Sequence, residues 1–166
     1  MSTIAKLLGV VPLALLVCGA CSGSPGGPSM SGRLEEEPPH PLQSNEIMQR
    51  DQRTSTSEVK HILIAWRDLE DSYPGNMDPR GKQRSRWDAE ALVKDLYQRL
   101  ANGEPIEPLM AEFSEDEGSA QSGRSYAVTP DGGYIFEFKF MALRLEVREV
   151  GKVLTPFGWH IMQRVE

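Results

Sequence analysis

The chain has 166 residues, of which 39% are hydrophobic and 25% are charged, and its formal net charge is -6. That length suits one domain, and the acidic balance argues against an electrostatic nucleic-acid binder, which carries a basic excess. Its 2 cysteines and 3 histidines are too few for a disulfide scaffold or a cysteine-rich zinc site. We therefore expect no metal, no cofactor and no nucleic-acid partner.

Residues 1–20 have the pattern of an export signal. A single lysine precedes an apolar stretch over residues 7–17, which is shorter than the roughly 20 residues that a membrane-spanning helix needs. The sequence CGAC at residues 18–21 resembles a bacterial lipobox, although Cys18 stands where leucine is usual. We expect a signal peptide cleaved before Cys21 and a lipid anchor on that cysteine. A plain signal peptide cut nearby is the alternative.

Residues 21–57 are predicted to be a disordered tether. Gly, Ser, Pro and Glu dominate this range, and it has no apolar periodicity. Such a segment cannot bury enough apolar surface to offset the entropy cost of ordering it. We expect His40, which lies between prolines, to be solvated. Ser22 follows Cys21 where aspartate would mark inner-membrane retention in many Gram-negative lipoproteins, so the outer membrane, facing the periplasm, is the expected location. The folded domain is predicted over residues 58–166.

Residues 58–166 alternate between strand-like and helix-like patterns. In chain order we predict a strand at 59–65, a polar loop at 66–84, a helix from a Ser85 cap to Asn102-Gly103, a shorter helix at 105–113, a polar turn at 115–125, a further strand, a helix at 134–143, and strands at 153–155 and 159–165. Strand and helix compete over residues 144–150. This order predicts one α+β domain with its helices around a small sheet.

The domain contains two histidines, His61 in the first predicted strand and His160 in the last. The terminal sequence TPFGWHIM at 155–162, the HILI sequence at 61–64 and the intervening Phe-Ser and Phe-Glu pairs resemble the parvulin family of peptidyl-prolyl cis–trans isomerases. The resemblance covers nearly all of the predicted domain. It implies a parvulin-like, four-stranded antiparallel sheet surrounded by about four helices.

The resemblance also implies a set of candidate catalytic residues. His61 and His160 would lie side by side beneath a hydrophobic cleft, Thr155 would hydrogen-bond the pair, and Asp116 would face the substrate. Rotation about an amide costs about 18–20 kcal/mol because resonance is lost, yet no group is transferred. An apolar pocket with polar groups matched to the twisted amide therefore suffices. A purely structural role for the histidines remains the alternative.

Four further residues are predicted to bind substrate. By resemblance, Phe136 is the aromatic floor of the proline pocket and Phe157 faces the cleft from the terminal turn. Ser125 replaces a pocket leucine, and Tyr134 is a possible substitute for a pocket methionine. These departures from the family pattern predict a shallower pocket, and a plain core role for Phe136 remains the alternative.

A basic loop precedes the first long helix, with cations at Arg80, Lys82, Arg84 and Arg86. Some parvulins use basic residues in this loop to select phosphorylated or acidic residues before proline. We hypothesise an anion-binding loop on that basis. The alternative is a solvated loop beside the start of a helix.

These patterns together predict an exported, membrane-anchored peptidyl-prolyl isomerase that acts on unfolded or extended proline-containing polypeptides. Uncatalysed X-Pro isomerisation takes tens to hundreds of seconds, so it is a credible target during folding. The alternative function is a catalytically weak or inactive parvulin-like chaperone or binding module of the cell envelope.

Overall fold

The computed structural model describes residues 40–166, so the predicted signal peptide, Cys21 and the first part of the predicted tether lie outside the described residues. The strands are β1 Ser57–Ile64, β2 Tyr126–Val128, β3 Val150–Thr155 and β4 Gly158–Arg164. The helices are α1 Asn45–Met48, α2 Pro79–Gln83, α3 Arg86–Ala101, α4 Ile106–Phe113, α5 Glu117–Ala120 and α6 Phe136–Ala142, with a 3-10 helix at Arg67–Ser72. The predicted α+β class is confirmed.

The four strands form one antiparallel sheet in the order β2-β1-β4-β3. Successive side chains of a strand point to opposite faces, so the sheet has two faces with different contents. One face packs Ile62, Trp159 and Ile161 against α3 and α4. The other packs Val59 and Met162 against α6 and α1, and it is this second face that also carries both histidines.

Helix α3 begins and ends where the sequence predicts. The Ser85 hydroxyl accepts a hydrogen bond from the backbone N–H of Asp88 at 3.2 Å, which satisfies one of the free donors of the first turn. Gly103 follows the helix with φ +92°, a left-handed conformation that favours glycine. Between these ends the buried side chains recur at helical spacing: Ala89, Val93, Leu96 and Leu100.

The predicted tether does not extend to residue 57, because residues 40–50 pack against the domain and Ser57 begins β1. The backbone N–H of Ser44 donates to the Lys152 carbonyl at 2.9 Å, and the Ser44 hydroxyl accepts from the Lys152 N–H at 3.1 Å, which covers the free edge of β3. Ile47 on α1 is 2% exposed. His40, predicted to be solvated, meets Trp159 edge to face at 5.1 Å between ring centroids.

Two other segments differ from the sequence-based prediction. The predicted polar loop at 66–84 contains the 3-10 helix and α2, and the predicted turn at 115–125 contains α5. Residues 144–149 form neither helix nor strand, and Arg148 in this turn has φ 71°. Within residues 40–166, no helix has the length and apolar character that crossing a bilayer requires.

Candidate active site

The two histidines lie side by side on the α6 face of the sheet. Strands β1 and β4 are antiparallel neighbours in which Leu63 lies opposite His160 and Met162 lies opposite His61, so the two imidazoles occupy diagonal positions. Their Nδ1 atoms are 2.9 Å apart, and the rings are nearly parallel at 14°. Both side chains are buried. The sheet register alone therefore produces this pair.

Asp116 continues the hydrogen-bonded chain towards the surface. One carboxylate oxygen, Oδ2, is 2.9 Å from Nε2 of His61 and accepts bonds from the Tyr126 hydroxyl at 2.6 Å and the Ser119 hydroxyl at 2.8 Å. The other, Oδ1, accepts from the Gly118 N–H at 3.1 Å and so caps α5. The bond from His61, with those from Tyr126 and Ser119, holds the pKa of Asp116 well below its usual range despite partial burial. The carboxylate is therefore ionised at neutral pH.

The partners fix the direction of the protons between Asp116 and His160 when both histidines are neutral. The Asp116 carboxylate can only accept, so Nε2 of His61 carries hydrogen and its Nδ1 is an acceptor. Nδ1 of His160 must then donate, and Nε2 of His160 is left as an acceptor 3.1 Å from the Thr155 hydroxyl, whose single hydrogen is shared between this nitrogen and the Gly158 carbonyl, also at 3.1 Å. Burial and the adjacent His61 lower the pKa of His160, which favours its neutral form. The result is one continuous chain from Thr155 to Asp116.

A tight turn between β3 and β4 positions Thr155 and Phe157 against the histidines. Gly158 has φ +128°, and a Cβ there would lie 2.5 Å from the carbonyl oxygen of Ile64. Only glycine fits this approach of the turn to the end of β1. The Thr155 hydroxyl accepts from the Phe157 N–H at 3.1 Å, which orients the turn over the site.

A cavity of about 290 Å³ opens above the histidine pair. Its walls are mainly aromatic and apolar, and the lining residues are His61, Leu63, Tyr73, Asp116, Tyr126, Gly133, Tyr134, Ile135, Phe138, Phe157 and His160. The Phe138 ring meets the two histidine rings edge to face at 5.2 and 5.3 Å between centroids, and Tyr134 stacks on Phe138 at 5.4 Å. The volume is near the lower end for small-molecule pockets, which suits a single small ring with its flanking backbone.

Two of the four predicted substrate-binding residues do not line this cavity. Phe136 is 65% exposed and packs on Phe140 at 5.0 Å, on the outer side of α6. Phe138 takes the predicted place of Phe136, because residues two apart on a helix point to different sides. The Ser125 hydroxyl donates to the Glu58 carboxylate at 2.6 Å instead. Tyr134 and Phe157 do line the cavity.

The four cations of the predicted anion-binding loop are each paired with a carboxylate. The pairs are Arg80 with Asp78 at 2.8 Å, Lys82 with Glu70 at 3.3 Å, Arg86 with Glu90 at 2.9 Å, and Arg84 with Glu115. None of the four lines the cavity. The hypothesis that this loop binds anions therefore lacks support, since its positive charges are already matched within the chain.

The Arg84–Glu115 pair is a structural link. The Glu115 carboxylate accepts from the Ala65 N–H at 2.8 Å, and Arg84 donates to the Ala65 carbonyl at 2.8 Å. Burial raises the pKa of Glu115, although the bonds that its carboxylate accepts from the Ala65 N–H and from the Arg84 guanidinium lower it. The pair thus joins the loop before α3 to the end of β1, next to the cavity.

Sequence reasoning missed six cavity residues: Leu63, Tyr73, Tyr126, Gly133, Ile135 and Phe138. The Tyr73 hydroxyl donates to the Phe157 carbonyl, and the two rings meet edge to face at 5.7 Å, so Tyr73 ties its loop to the terminal turn. Nothing in its polar surroundings marks it in the sequence. The spacing of buried Phe138 with Met141 and Ala142, by contrast, is a helical signal that identifies the inner face of α6.

The comparison with family models finds a match over residues 45–166, to the PPIC-type PPIase domain. This range includes α1, which packs beside the edge of β3. Two curated relatives are similar to part of the chain. Chaperone SurA of Chromohalobacter salexigens is 35% identical over 106 residues, which are 63% of this chain and 21% of that protein. Foldase protein PrsA of Caldanaerobacter subterraneus subsp. tengcongensis is 35% identical over 75 residues, which are 45% of this chain and 24% of that protein.

Two solved structures have the same fold as the described residues. Peptidyl-prolyl isomerase ESS1 from Candida albicans aligns with a TM-score of 0.56 at 23% identity, over 68% of this chain and 63% of that chain. The solution structure of TbPIN1 aligns with a TM-score of 0.57 at 21% identity, over 68% of this chain and 99% of that chain. The predicted parvulin-like fold, a four-stranded antiparallel sheet with surrounding helices, is confirmed.

Proposed function

The chain belongs to the PPIC-type PPIase domain family, and on that basis we propose that it is a peptidyl-prolyl cis–trans isomerase. Its substrates are X-Pro bonds in unfolded or extended polypeptides. The observation that carries the proposal is the aromatic cavity above the hydrogen-bonded chain from Asp116 through His61 and His160 to Thr155.

The mechanism is non-covalent. A planar amide is strongly dipolar and well solvated, whereas the twisted amide has lost resonance and part of that dipole. A cavity lined by Phe138, Tyr134 and Leu63 removes water from the amide, which raises the free energy of the planar form more than that of the twisted form. Both histidines are buried and hydrogen-bonded on both nitrogens, so neither acts as a nucleophile.

We assign Asp116 two roles in this mechanism. Its carboxylate lines the cavity and places a fixed negative charge at the rim, where the amide enters. It also orients His61, and through it His160, by accepting the terminal hydrogen bond of the chain. The histidines and Thr155 act as positioning residues, because they hold the floor of the cavity beneath the bound ring.

A protease-coupled assay on a short peptide with one X-Pro bond tests the proposal. We expect the full chain to accelerate isomerisation, Asp116→Asn to be slower, and Ser125→Ala to match the wild type, since Ser125 lies outside the cavity. A wild-type rate equal to the uncatalysed rate would overturn it.

Two observations favour the chaperone function as a second candidate. The cavity is small, and one similar protein is named a chaperone. In that function the same cleft binds extended apolar segments without turnover. Suppression of client aggregation by wild type, together with an isomerisation rate equal to that of buffer, would favour the chaperone. Suppression that accompanies measurable turnover supports the isomerase.

We further propose that the protein is an exported lipoprotein, with Cys21 anchored in the outer membrane and the domain facing the periplasm. The lipobox-like sequence at 18–21 and the apolar stretch before it support this. Labelled palmitate is expected in the wild type and absent from Cys21→Ala. In a Gram-negative cell, Ser22→Asp should shift the protein to the inner-membrane fraction. Equal labelling of both proteins would contradict the anchor.

A further inference from the structure

The outer side of α6 presents exposed aromatic rings surrounded by cations. Phe136 is 65% exposed and packs on Phe140. A second cavity, of about 250 Å³, lies against these rings, and its lining includes Arg53, Lys139 and Arg144. We refer to these five residues as the α6 patch.

The two arginines of the α6 patch are not neutralised. Among residues 40–166, neither Arg53 nor Arg144 has a carboxylate side chain within 4.0 Å. Arg144 donates only to backbone carbonyls, of Arg50 at 2.8 Å and Phe140 at 3.2 Å, and its guanidinium lies 3.3 Å from the centroid of the Phe140 ring. Lys139 likewise donates to a carbonyl, that of Gly132 at 3.3 Å.

The acidic groups near this surface do not cancel its charge. Glu149 is held by both terminal nitrogens of Arg50, at 2.6 and 2.7 Å. Asp51 faces Arg144 from beyond ion-pair distance, while burial and the like charge of Arg53 lower the pKa of Arg144. Two cations close together, one of them partly buried, are destabilised by each other, so an added carboxylate would relieve that repulsion.

The α6 patch extends into a further groove rather than ending at α6. A third cavity, of about 310 Å³, shares Arg53, Leu143 and Arg144 with the second, and Arg50 and Arg164 also line it. Glu146 is the acidic side chain among its lining residues. Two adjoining cavities therefore share the cations Arg53 and Arg144.

The α6 patch and the catalytic cavity lie on opposite sides of the same helix. Ile135 and Phe138 face that cavity, while Phe136 and Phe140 of the same short helix face outward. The separation is about one helix diameter, roughly 10 Å. An extended chain advances about 3.3 Å per residue, so it crosses α6 within roughly three to five residues.

We propose that the α6 patch binds acidic side chains of the client polypeptide, placed about three to five residues from the proline, with apolar neighbours against Phe136 and Phe140. This inference rests on the proposed isomerase function and names its substrate class. Charge complementarity selects the carboxylates, and the position of the α6 patch on the other side of the helix that lines the catalytic cavity selects a polypeptide over a membrane surface. Each exposed ion pair contributes modestly, so the preference is a matter of a few-fold.

The test uses the full chain and matched peptides with one Ala-Pro bond, which carry two Glu or two Gln before or after the proline. At low ionic strength, kcat/KM measured by NMR exchange should favour a Glu peptide by about twofold to fivefold, and the preference should shrink in high salt. In Arg53→Glu the ratio of the two rates should fall to about one. Lys82→Glu makes the same change of charge in the paired loop and should keep the wild-type ratio.

Three results would overturn the proposal. These are equal rates on Glu and Gln peptides in wild type, an unchanged ratio in Arg53→Glu, or the same loss in Lys82→Glu, which would indicate a net-charge effect. Sedimentation with phosphatidylglycerol vesicles without peptide discrimination would assign the α6 patch to a membrane instead. Isomerisation of the Gln peptide by wild type leaves the proposed function standing even if the α6 patch fails, whereas inactivity on every peptide rejects the function itself.

Discussion

The two faces of the sheet bury different kinds of side chain. Towards α3 and α4 the core is apolar, and Trp159 and Ile161 are buried there; within residues 40–166 the indole N–H of Trp159 has no hydrogen-bond partner. Towards α6 the core contains His61, His160 and Thr155, whose polar atoms satisfy one another in a single chain. The first face contributes mainly to stability. On the second face, a polar network beneath an open cavity takes the place of part of the apolar packing. Changes on the two faces should therefore affect different properties.

The largest expected effect on stability comes from the apolar face. Leu96 is fully buried on α3, so Leu96→Ala should lower the free energy of unfolding by about 2–5 kcal/mol, through lost burial and the cavity left behind. Isomerase activity per folded molecule should stay at the wild-type value. Denaturant unfolding measures the free energy of unfolding, and an isomerisation assay at a fixed folded fraction measures the activity per folded molecule. A fall in activity with no loss of stability would break the division between the faces.

The largest expected effect on activity comes from Asp116. Asp116→Asn keeps the shape of the side chain but removes the negative charge of the carboxylate, whose oxygen accepts hydrogen bonds from His61, Tyr126 and Ser119. We expect kcat/KM to fall about tenfold, which corresponds to about 1.4 kcal/mol in the barrier. Ser125→Ala is the control. Wild-type kcat/KM in Asp116→Asn would show that the network makes no contribution to turnover.

The buried histidine predicts a specific pH dependence of stability. Burial lowers the pKa of His160 in the folded state, so below the ordinary histidine pKa of about 6.5 the unfolded chain binds more protons than the folded chain. The stability from this group is present above about pH 6.5 and declines as the pH falls towards the folded pKa. Chemical unfolding between about pH 8 and pH 5 should show this decline, and His160→Gln should reduce it. An identical slope in the variant would contradict the assignment.

Asp116 adds a second acidic transition with the same sign. Its folded pKa lies below the ordinary value of about 3.9, so its contribution is present above that pH and is lost as the pH falls further. Asp116→Asn should therefore flatten the stability profile below about pH 4. Because the Asp116 charge raises the pKa of His160, the same variant should lower that pKa further and move the decline governed by His160 towards lower pH.

The smallest expected effect concerns Tyr73, at the exposed lip of the cavity. Tyr73→Phe keeps the ring against Phe157 but loses the hydrogen bond to its carbonyl. We expect kcat/KM to fall about twofold to fivefold, in line with one ordinary hydrogen bond. Tyr73→Ala, which also removes the wall, should have the larger effect. Equal rates in all three proteins would exclude Tyr73 from the site.

The parts of the fold that local patterns determine were predictable from the sequence. The Ser85 cap and the Gly103 stop define α3, and the apolar runs around His61 and His160 define the paired strands. The inner face of α6 was assigned wrongly, although the spacing of Phe138 with Met141 and Ala142 indicates it. The resemblance favoured Phe136, whereas packing against the histidines selects Phe138.

Contacts between distant segments account for the remaining differences. Residues 40–57 have a tether-like composition, and their order comes from bonds between Ser44 and the edge of β3, which composition does not encode. The sequence predicted a basic loop that contains Arg80 and Arg84. The partner of Arg80, Asp78, is local, whereas the partner of Arg84, Glu115, lies 31 residues further along the chain. Tertiary pairing therefore decides which charges remain available to a ligand.

NMR exchange on a peptide with a single X-Pro bond tests the central claim most directly, because it follows both isomers without a coupling protease. Catalytic amounts of the full chain should raise the cis-to-trans exchange rate in proportion to protein concentration, and Asp116→Asn should raise it about tenfold less. An exchange rate equal to that in buffer at every wild-type concentration would contradict the account.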